Sequence, residues 1–333
     1  MSSLFVIWSV VSFVAEIPSG ALADTWSRRK LYALGELITA AGYALWLIWP
    51  SYPGFALGFV LWGVGGALGS GSLEALIYDE LSASGAEKDY ARVVGRGGTV
   101  AILAMLAATL LASPAWSAGG YLLVGGASVA IKTLGGVLAL RLPETARAEA
   151  DDEPGYFRML LDGVREAGRS RRVIRAVAVA ALVPGFSALD EYLPLLARDK
   201  GATTATVPLL FAVTALAMAA GSALAGRYST PGPRTPLAAA AVLLVTGALI
   251  PHATGMIAVS GAFGLLQFSM VVAETRLQEA ISGRARTTVL SVAGFASEVC
   301  AVALYSVFAV PAPLTWLFAL CAVPVLLTAL STA

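Results

Sequence analysis

The chain is 333 residues long, 58% hydrophobic and only 13% charged, whereas about a quarter of the residues in a soluble domain carry charge. Its two cysteines, Cys300 and Cys321, lie in apolar runs and make no disulfide framework, and a net charge of +1 excludes the basic face of a nucleic-acid binder. The composition is that of a polytopic membrane protein, and the 34 glycines suit one, because small residues let helices approach closely in lipid.

A helix needs roughly 20 apolar residues to cross the hydrocarbon core. In chain order such runs fall at 3–24, 31–49, 54–79, 93–113 and 118–141, then at 173–197, 205–226, 235–251, 254–275, 287–309 and 312–330. None alternates like the strands of a membrane barrel. The expected fold is therefore an all-α polytopic membrane protein with about eleven transmembrane helices, five and then six. The long polar stretch between the two sets defines an N-terminal bundle over 1–141, a linker over 142–172 and a C-terminal bundle over 173–333. Within the linker, Phe157 to Ala167 has the make-up of a short surface helix. The opening run has no basic start and carries Glu16 and Pro18, so it does not read as a cleavable signal peptide.

Orientation follows from Lys and Arg. All but three of the 22 fall in one set of alternate loops, among them Arg28, Arg29, Lys30, Arg92, Arg96 and the run from Arg141 to Arg175. Only Arg198 and Lys200 lie in the other set, and Lys132 lies inside a span. The basic set, the linker and the C-terminus thus read as cytoplasmic. The first span then starts outside, with no positive anchor before it.

Two short stretches repeat. Ser19-Gly20-Ala21-Leu22-Ala23-Asp24 matches Gly221-Ser222-Ala223-Leu224-Ala225-Gly226 at an offset of 202 residues, each at the same end of a span. That offset would place a partner of the 173–197 helix before Met1. The expectation is two six-helix halves, with the first helix of the first half absent.

These stretches carry a resemblance. Gly20-Ala21-Leu22-Ala23-Asp24-Thr25-Trp26-Ser27-Arg28-Arg29-Lys30 resembles the G-x-L-a-D-r-x-G-r-[RK] signature between the second and third helices of the major facilitator superfamily. Glu16-Ile17-Pro18-Ser19 is similar to the lead-in of many bacterial members. Ser70 to Asp79 resembles a fourth-helix pattern of the same members, and Arg286-Thr287-Thr288-Val289-Leu290-Ser291 resembles the entry to the eleventh helix. Gly69 stands where such sequences usually have an arginine, and the G-P-x-x-G-G run of antiporters is missing from the fifth helix. The resemblance implies a carrier that rocks two halves about a central site. It also implies that the loop with Gly20, Asp24, Arg28 and Arg29 is a cytoplasmic latch, Asp24 meeting the start of the 287–309 helix. The sequence lets Asp24 pair with Arg28 one turn on.

Ionisable residues inside spans are functional hypotheses by default. Glu16 is roughly 12 Å, and Glu298 roughly 16 Å, from the basic end of its span at 1.5 Å per residue. Both can be proton-coupling carboxyls or structural hydrogen-bonding groups. By resemblance they face one cavity, to which Asp190, Glu191 (the preferred one of the pair) and Glu74 are the further candidates. Pro194 would let the 173–197 helix bend. Lys132 can snorkel or serve a substrate or ion pair. Asp79 and Glu274 read as interfacial, and the single histidine, His252, in an outer loop, forms no metal site. No nucleotide loop, metal cluster or nucleophile triad is found.

The expected function is secondary active transport of a small molecule, proton-coupled efflux by family tendency, in a bacterial cytoplasmic membrane. A proton-linked or facilitated importer is the alternative, and a truncated carrier turned receptor or scaffold is one of another class. The expectation includes no enzyme activity, cofactor, metal or nucleic-acid partner. The protein is expected to work as a monomer in lipid.

Overall fold

A computed structural model describes residues 1–70, 72–145, 171–227, 233–280 and 286–331. The 157–167 surface helix lies outside them. Among the described residues the secondary structure is helical throughout, and the chain divides into two compact units, 1–153 and 154–333.

Unit 1 contains α1 (Ser2–Thr25), α2 (Arg28–Ile48), α3 (Tyr52–Gly69) and α4 (Ser72–Ala83). A continuous helical stretch, Tyr90–Ala139, follows. Gly120 breaks it with φ 57° and ψ −147°, a left-handed conformation that glycine adopts without the Cβ penalty of other residues. The stretch is therefore two helices, α5 (90–119) and α6 (121–139). Helix starts follow local chemistry. The Ser27 hydroxyl accepts from the Lys30 amide at 3.1 Å and caps α2, and α3 opens with a proline in its first turn.

Unit 2 contains α7 (Arg171–Ser187), a 3-10 turn (Ala188–Tyr192), α8 (Leu193–Asp199), α9 (Val207–Arg227), α10 (Arg234–Leu249), α11 (Gly255–Ala280), α12 (Arg286–Val307) and α13 (Leu314–Ser331).

Seven of these stretches are long and apolar enough to cross a membrane, and shorter apolar helices cover Ser2–Glu16, Arg234–Leu249 and Val292–Val307. One of the seven, Glu87–Ala139, has 53 residues, enough for two crossings at roughly 20 residues each, and Gly120 divides it. The eleven runs of the sequence are thus all present as helices.

The two units pack in the same order. In unit 1, α3 lies against α1 and α2, and α6 lies against α2. In unit 2, α11 lies against α9 and α10, and α13 lies against α10. Helices touch backbone to backbone at glycine. A Cβ on Gly42 would stand 2.7 Å from the Gly58 carbonyl oxygen, and one on Gly247 would stand 2.8 Å from that of Gly255. Ser12 on α1 donates to the Gly63 carbonyl at 3.3 Å, and Thr214 on α9, at the same 202-residue offset, bonds the Ser260 hydroxyl at 2.8 Å.

Candidate functional site

Two spans of the sequence, 54–79 and 173–197, are not single straight helices, and the interruption of the second carries acidic residues. In unit 2 the stretch Val173–Asp199 is apolar enough to span, yet α7 stops at Ser187. Pro184 lies inside α7, and the Ser187 hydroxyl donates to the Pro184 carbonyl at 2.6 Å. The chain tightens into the 3-10 turn and resumes as α8 with Pro194 in its first turn. The bend expected at Pro194 therefore starts about a turn earlier, and the proline serves as a helix start.

This turn presents Asp190 and Glu191, both half-buried. The next residue, Tyr192, is 2% exposed. Its ring lies 4.2 Å from Phe308 and 6.2 Å from Tyr305 of α12, centroid to centroid. The Tyr305 hydroxyl is within electrostatic reach of Asp190, Glu191 and Glu298. Glu298, half-buried, lies two turns before Tyr305 on α12. Helices α7 and α12 come together at Gly185, whose added Cβ would clash with the Cys300 Cβ at 2.5 Å. Three carboxyls singled out from the sequence thus lie within electrostatic reach of one tyrosine that the sequence did not single out. The signal for Tyr305 was available, since it recurs seven residues, two turns, after Glu298 on one helical face.

In unit 1 the other candidates separate. Glu16 is exposed on α1, two residues before Pro18, and its carbonyl accepts from the Ser19 hydroxyl at 2.8 Å. Glu74 is exposed in the first turn of α4. Gly20 and Asp24 fall in the last two turns of α1, and their side-chain positions lie outside the described residues.

The two arginines of the signature have partners that the sequence did not reveal. Arg28 pairs with Asp79 of α4 at 2.6 Å. Arg29 donates to the Leu142 carbonyl at 2.8 Å and lies 3.7 Å from the Glu144 carboxylate. Glu144 also accepts from the Ser27 hydroxyl and, at 3.3 Å, from the Arg29 amide. Burial opposes ionisation of Glu144, but the hydrogen bonds from Ser27 and from the Arg29 and Arg28 amides outweigh it together with the Arg29 charge. They hold its carboxyl below the usual range.

Lys132, on α6, places its ammonium 2.9 Å from both oxygens of Glu36 on α2. Its side chain is 34% exposed and that of Glu36 18%. Of the two roles open to Lys132, the pair is the one present. Glu36 was missed, although an acid and a base in the interiors of two spans are natural partners. Lys200, outside the spans, is buried and donates to the Ala248 and Ile250 carbonyls, so it caps the end of α10. Glu274 and His252 are exposed, at the end of α11 and in the turn before it. Among the described residues no group of three His, Cys, Asp or Glu could hold a metal.

A sequence profile of the Major Facilitator Superfamily matches residues 1–304. Solved structures share the fold at low identity. A variant of the nucleoside transporter NupG matches with a TM-score of 0.74 at 14% identity, over 99% of this chain and 90% of that one. A D-xylose-proton symporter gives 0.69 at 18% identity, over 99% and 86%. A bacterial homolog of the human lysosomal transporter Spinster gives 0.67 at 17%, over 98% and 87%. No curated protein is similar enough in sequence to count as a relative.

Proposed function

The chain belongs to the Major Facilitator Superfamily and is a secondary transporter, not an enzyme; from that premise we propose that it couples proton movement to export of a small molecule across a bacterial cytoplasmic membrane. The observation that carries this reading is the interrupted span of unit 2, which places Asp190 and Glu191 in its 3-10 turn, with both of them and Glu298 within electrostatic reach of Tyr305. Transporter helices break where substrate and coupling-ion sites lie. A carboxyl in such a break is hydrated, paired or protonated, because an ionised one cannot face hydrocarbon. Its proton occupancy therefore follows the side to which the site is open, which is what coupling requires. Glu16 is the corresponding candidate in unit 1.

Export follows the tendency of the bacterial members whose motifs the chain resembles. The test uses everted vesicles energised to an acid interior, with a pH-quenched dye reporting the gradient while a panel of amphipathic compounds is added. An exporter exchanging protons for substrate dissipates the gradient when a transported compound arrives, and a proton-linked importer builds none of that response in this orientation. Asp190→Asn with Glu191→Gln should abolish the response while leaving downhill substrate exchange intact. Full compound-driven proton release by the double variant would remove Asp190 and Glu191 from coupling.

A further inference from the structure

We infer that Lys200 is a positioning residue for the acidic turn of unit 2: by tying the far end of α8 to the end of α10, it fixes where Asp190 and Glu191 stand. Its functional meaning rests on the coupling reading, to which it adds the residue that holds those carboxyls in place. Its test reads the backbone, so it can succeed or fail whether or not Asp190 and Glu191 couple.

The first line of argument is the burial of Lys200. Lysine is almost never fully buried unless its charge is met, yet Lys200 is 6% exposed. Its ammonium donates to the Ala248 carbonyl at 2.7 Å and to the Ile250 carbonyl. Both acceptors belong to the end of α10, where carbonyls lack partners within the helix and the dipole favours a cation. The donor stands 48 and 50 residues away in sequence, on another element. The cap is therefore also a tie between α8 and α10. The receiving end is tightly built, because a Cβ on Gly255 of α11 would stand 2.5 Å from the Gly247 carbonyl oxygen of α10. The chain around Lys200 is equally fixed. Gly201, with φ 84°, closes α8. The Ala202 amide donates to the Ala197 carbonyl at 2.9 Å and the Gly201 amide to the Arg198 carbonyl at 3.0 Å, the paired closure that a left-handed residue permits. Arg198 adds a bond to the Ala202 carbonyl at 2.9 Å.

A second line is the short path from Lys200 to the carboxyls. Helix α8 has seven residues, roughly 10 Å at 1.5 Å per residue. Leu193, Leu196 and Ala197 are each 1% exposed or less, and the helix packs against α9 and α13. The Leu193 amide, at the start of α8, donates to the Asp190 carbonyl. Tyr192, between Glu191 and α8, is held against Phe308 of α12. A buried helix of two turns, bonded at one end to Asp190 and at the other to α10, carries a displacement at Lys200 to the turn. Lys200 thus acts on the carboxyls through α8.

The test follows amide hydrogen exchange by mass spectrometry in lipid nanodiscs. It compares the wild-type protein with Lys200→Met, which keeps the stem and removes the donors, and with Lys200→Arg, which keeps the charge and the donors. Lys132→Met serves as a control that loses a cation in unit 1. Lys200→Met should speed exchange about tenfold or more, as for loss of a hydrogen bond from a charged group. The effect should run from 248–250 through 193–199 into the peptide containing 188–192, with 173–183 unchanged. Lys200→Arg should restore slow exchange along the whole path, and Lys132→Met should leave it as in wild type. Should Lys200→Met fail to fold, Lys200→Gln, which keeps an amide donor, is read in its place. Faster exchange confined to 198–202 and 248–250 would make Lys200 a cap of α10 alone and overturn the inference. Uniform acceleration across unit 2, no acceleration, or no rescue by arginine would overturn it too. If the path opens as described while the Asp190→Asn with Glu191→Gln variant remains fully coupled, Lys200 positions the turn and the coupling reading falls.

Discussion

Glu144 shows how one side chain can organise a membrane boundary. It satisfies the Ser27 hydroxyl and first-turn amides of α2 while balancing Arg29, and Arg29 in turn holds the Leu142 carbonyl. The start of the polar linker is thereby tied to the start of α2. Because the folded protein holds this carboxyl below the usual glutamate range, the tie contributes stability that is present above the unfolded value and is lost as pH falls through the folded one. Amide exchange at Arg28 and Arg29, corrected for the intrinsic pH dependence of exchange, should therefore be slow at neutral pH and accelerate in acid. Glu144→Gln should exchange fast throughout, and a variant indistinguishable from wild type at neutral pH would show that Glu144 does not cap this helix. The sequence made the arginines legible as a signature, but not their partners. Asp79 and Glu144 lie 51 and 115 residues from the arginines they meet, and no local pattern encodes such a distance.

Among the elements, hydropathy read the helices well and their interruptions poorly. A window average sees only that 54–79 and 173–197 are apolar, and the residues at both breaks, Ser70 and Ala188 to Tyr192, sit in apolar surroundings. The corner between α5 and α6 was placed within 114–117, where Pro114 stands, whereas the chain turns at Gly120, the residue able to take positive φ. The Lys132–Glu36 pair also belongs to this scale, because it joins α2 to α6. Gly135, one turn after Lys132, leaves room for the Glu36 carboxylate, 3.2 Å from where its Cβ would be. Removing one partner of a buried pair costs about 3–5 kcal/mol through the charge left behind, and these half-buried groups belong at the lower end. Lys132→Met or Glu36→Gln alone should lower the melting temperature in detergent by several degrees, and the double variant should recover most of that loss. A double variant as unstable as the sum of the singles would mean that the two charges act separately.

At the scale of the whole molecule, the 202-residue repeat seen in two short stretches is realised as a common packing order, with α1, α2 and α3 arranged as α9, α10 and α11. The short match was weak as sequence because helix packing constrains residue size and polarity far more than identity. Membrane orientation has a comparable logic. The two basic residues on the sparsely charged side are engaged by the protein itself: Arg198 donates to the Ala202 carbonyl at 2.9 Å and Lys200 caps α10. Their presence there reflects local hydrogen bonding, so they do not weigh against a cytoplasmic assignment of the basic loops. The prediction is that residue 153 is cytoplasmic and residue 253 faces out. Cys300 and Cys321, the two free cysteines, are first replaced by serine or alanine. Glu153→Cys and Ala253→Cys are then made separately in that background and treated on intact cells with a membrane-impermeant thiol reagent. Position 253 should label in intact cells and position 153 only after the membrane is permeabilised. The reverse pattern would invert the protein in the membrane, and with it the side that the basic loops face.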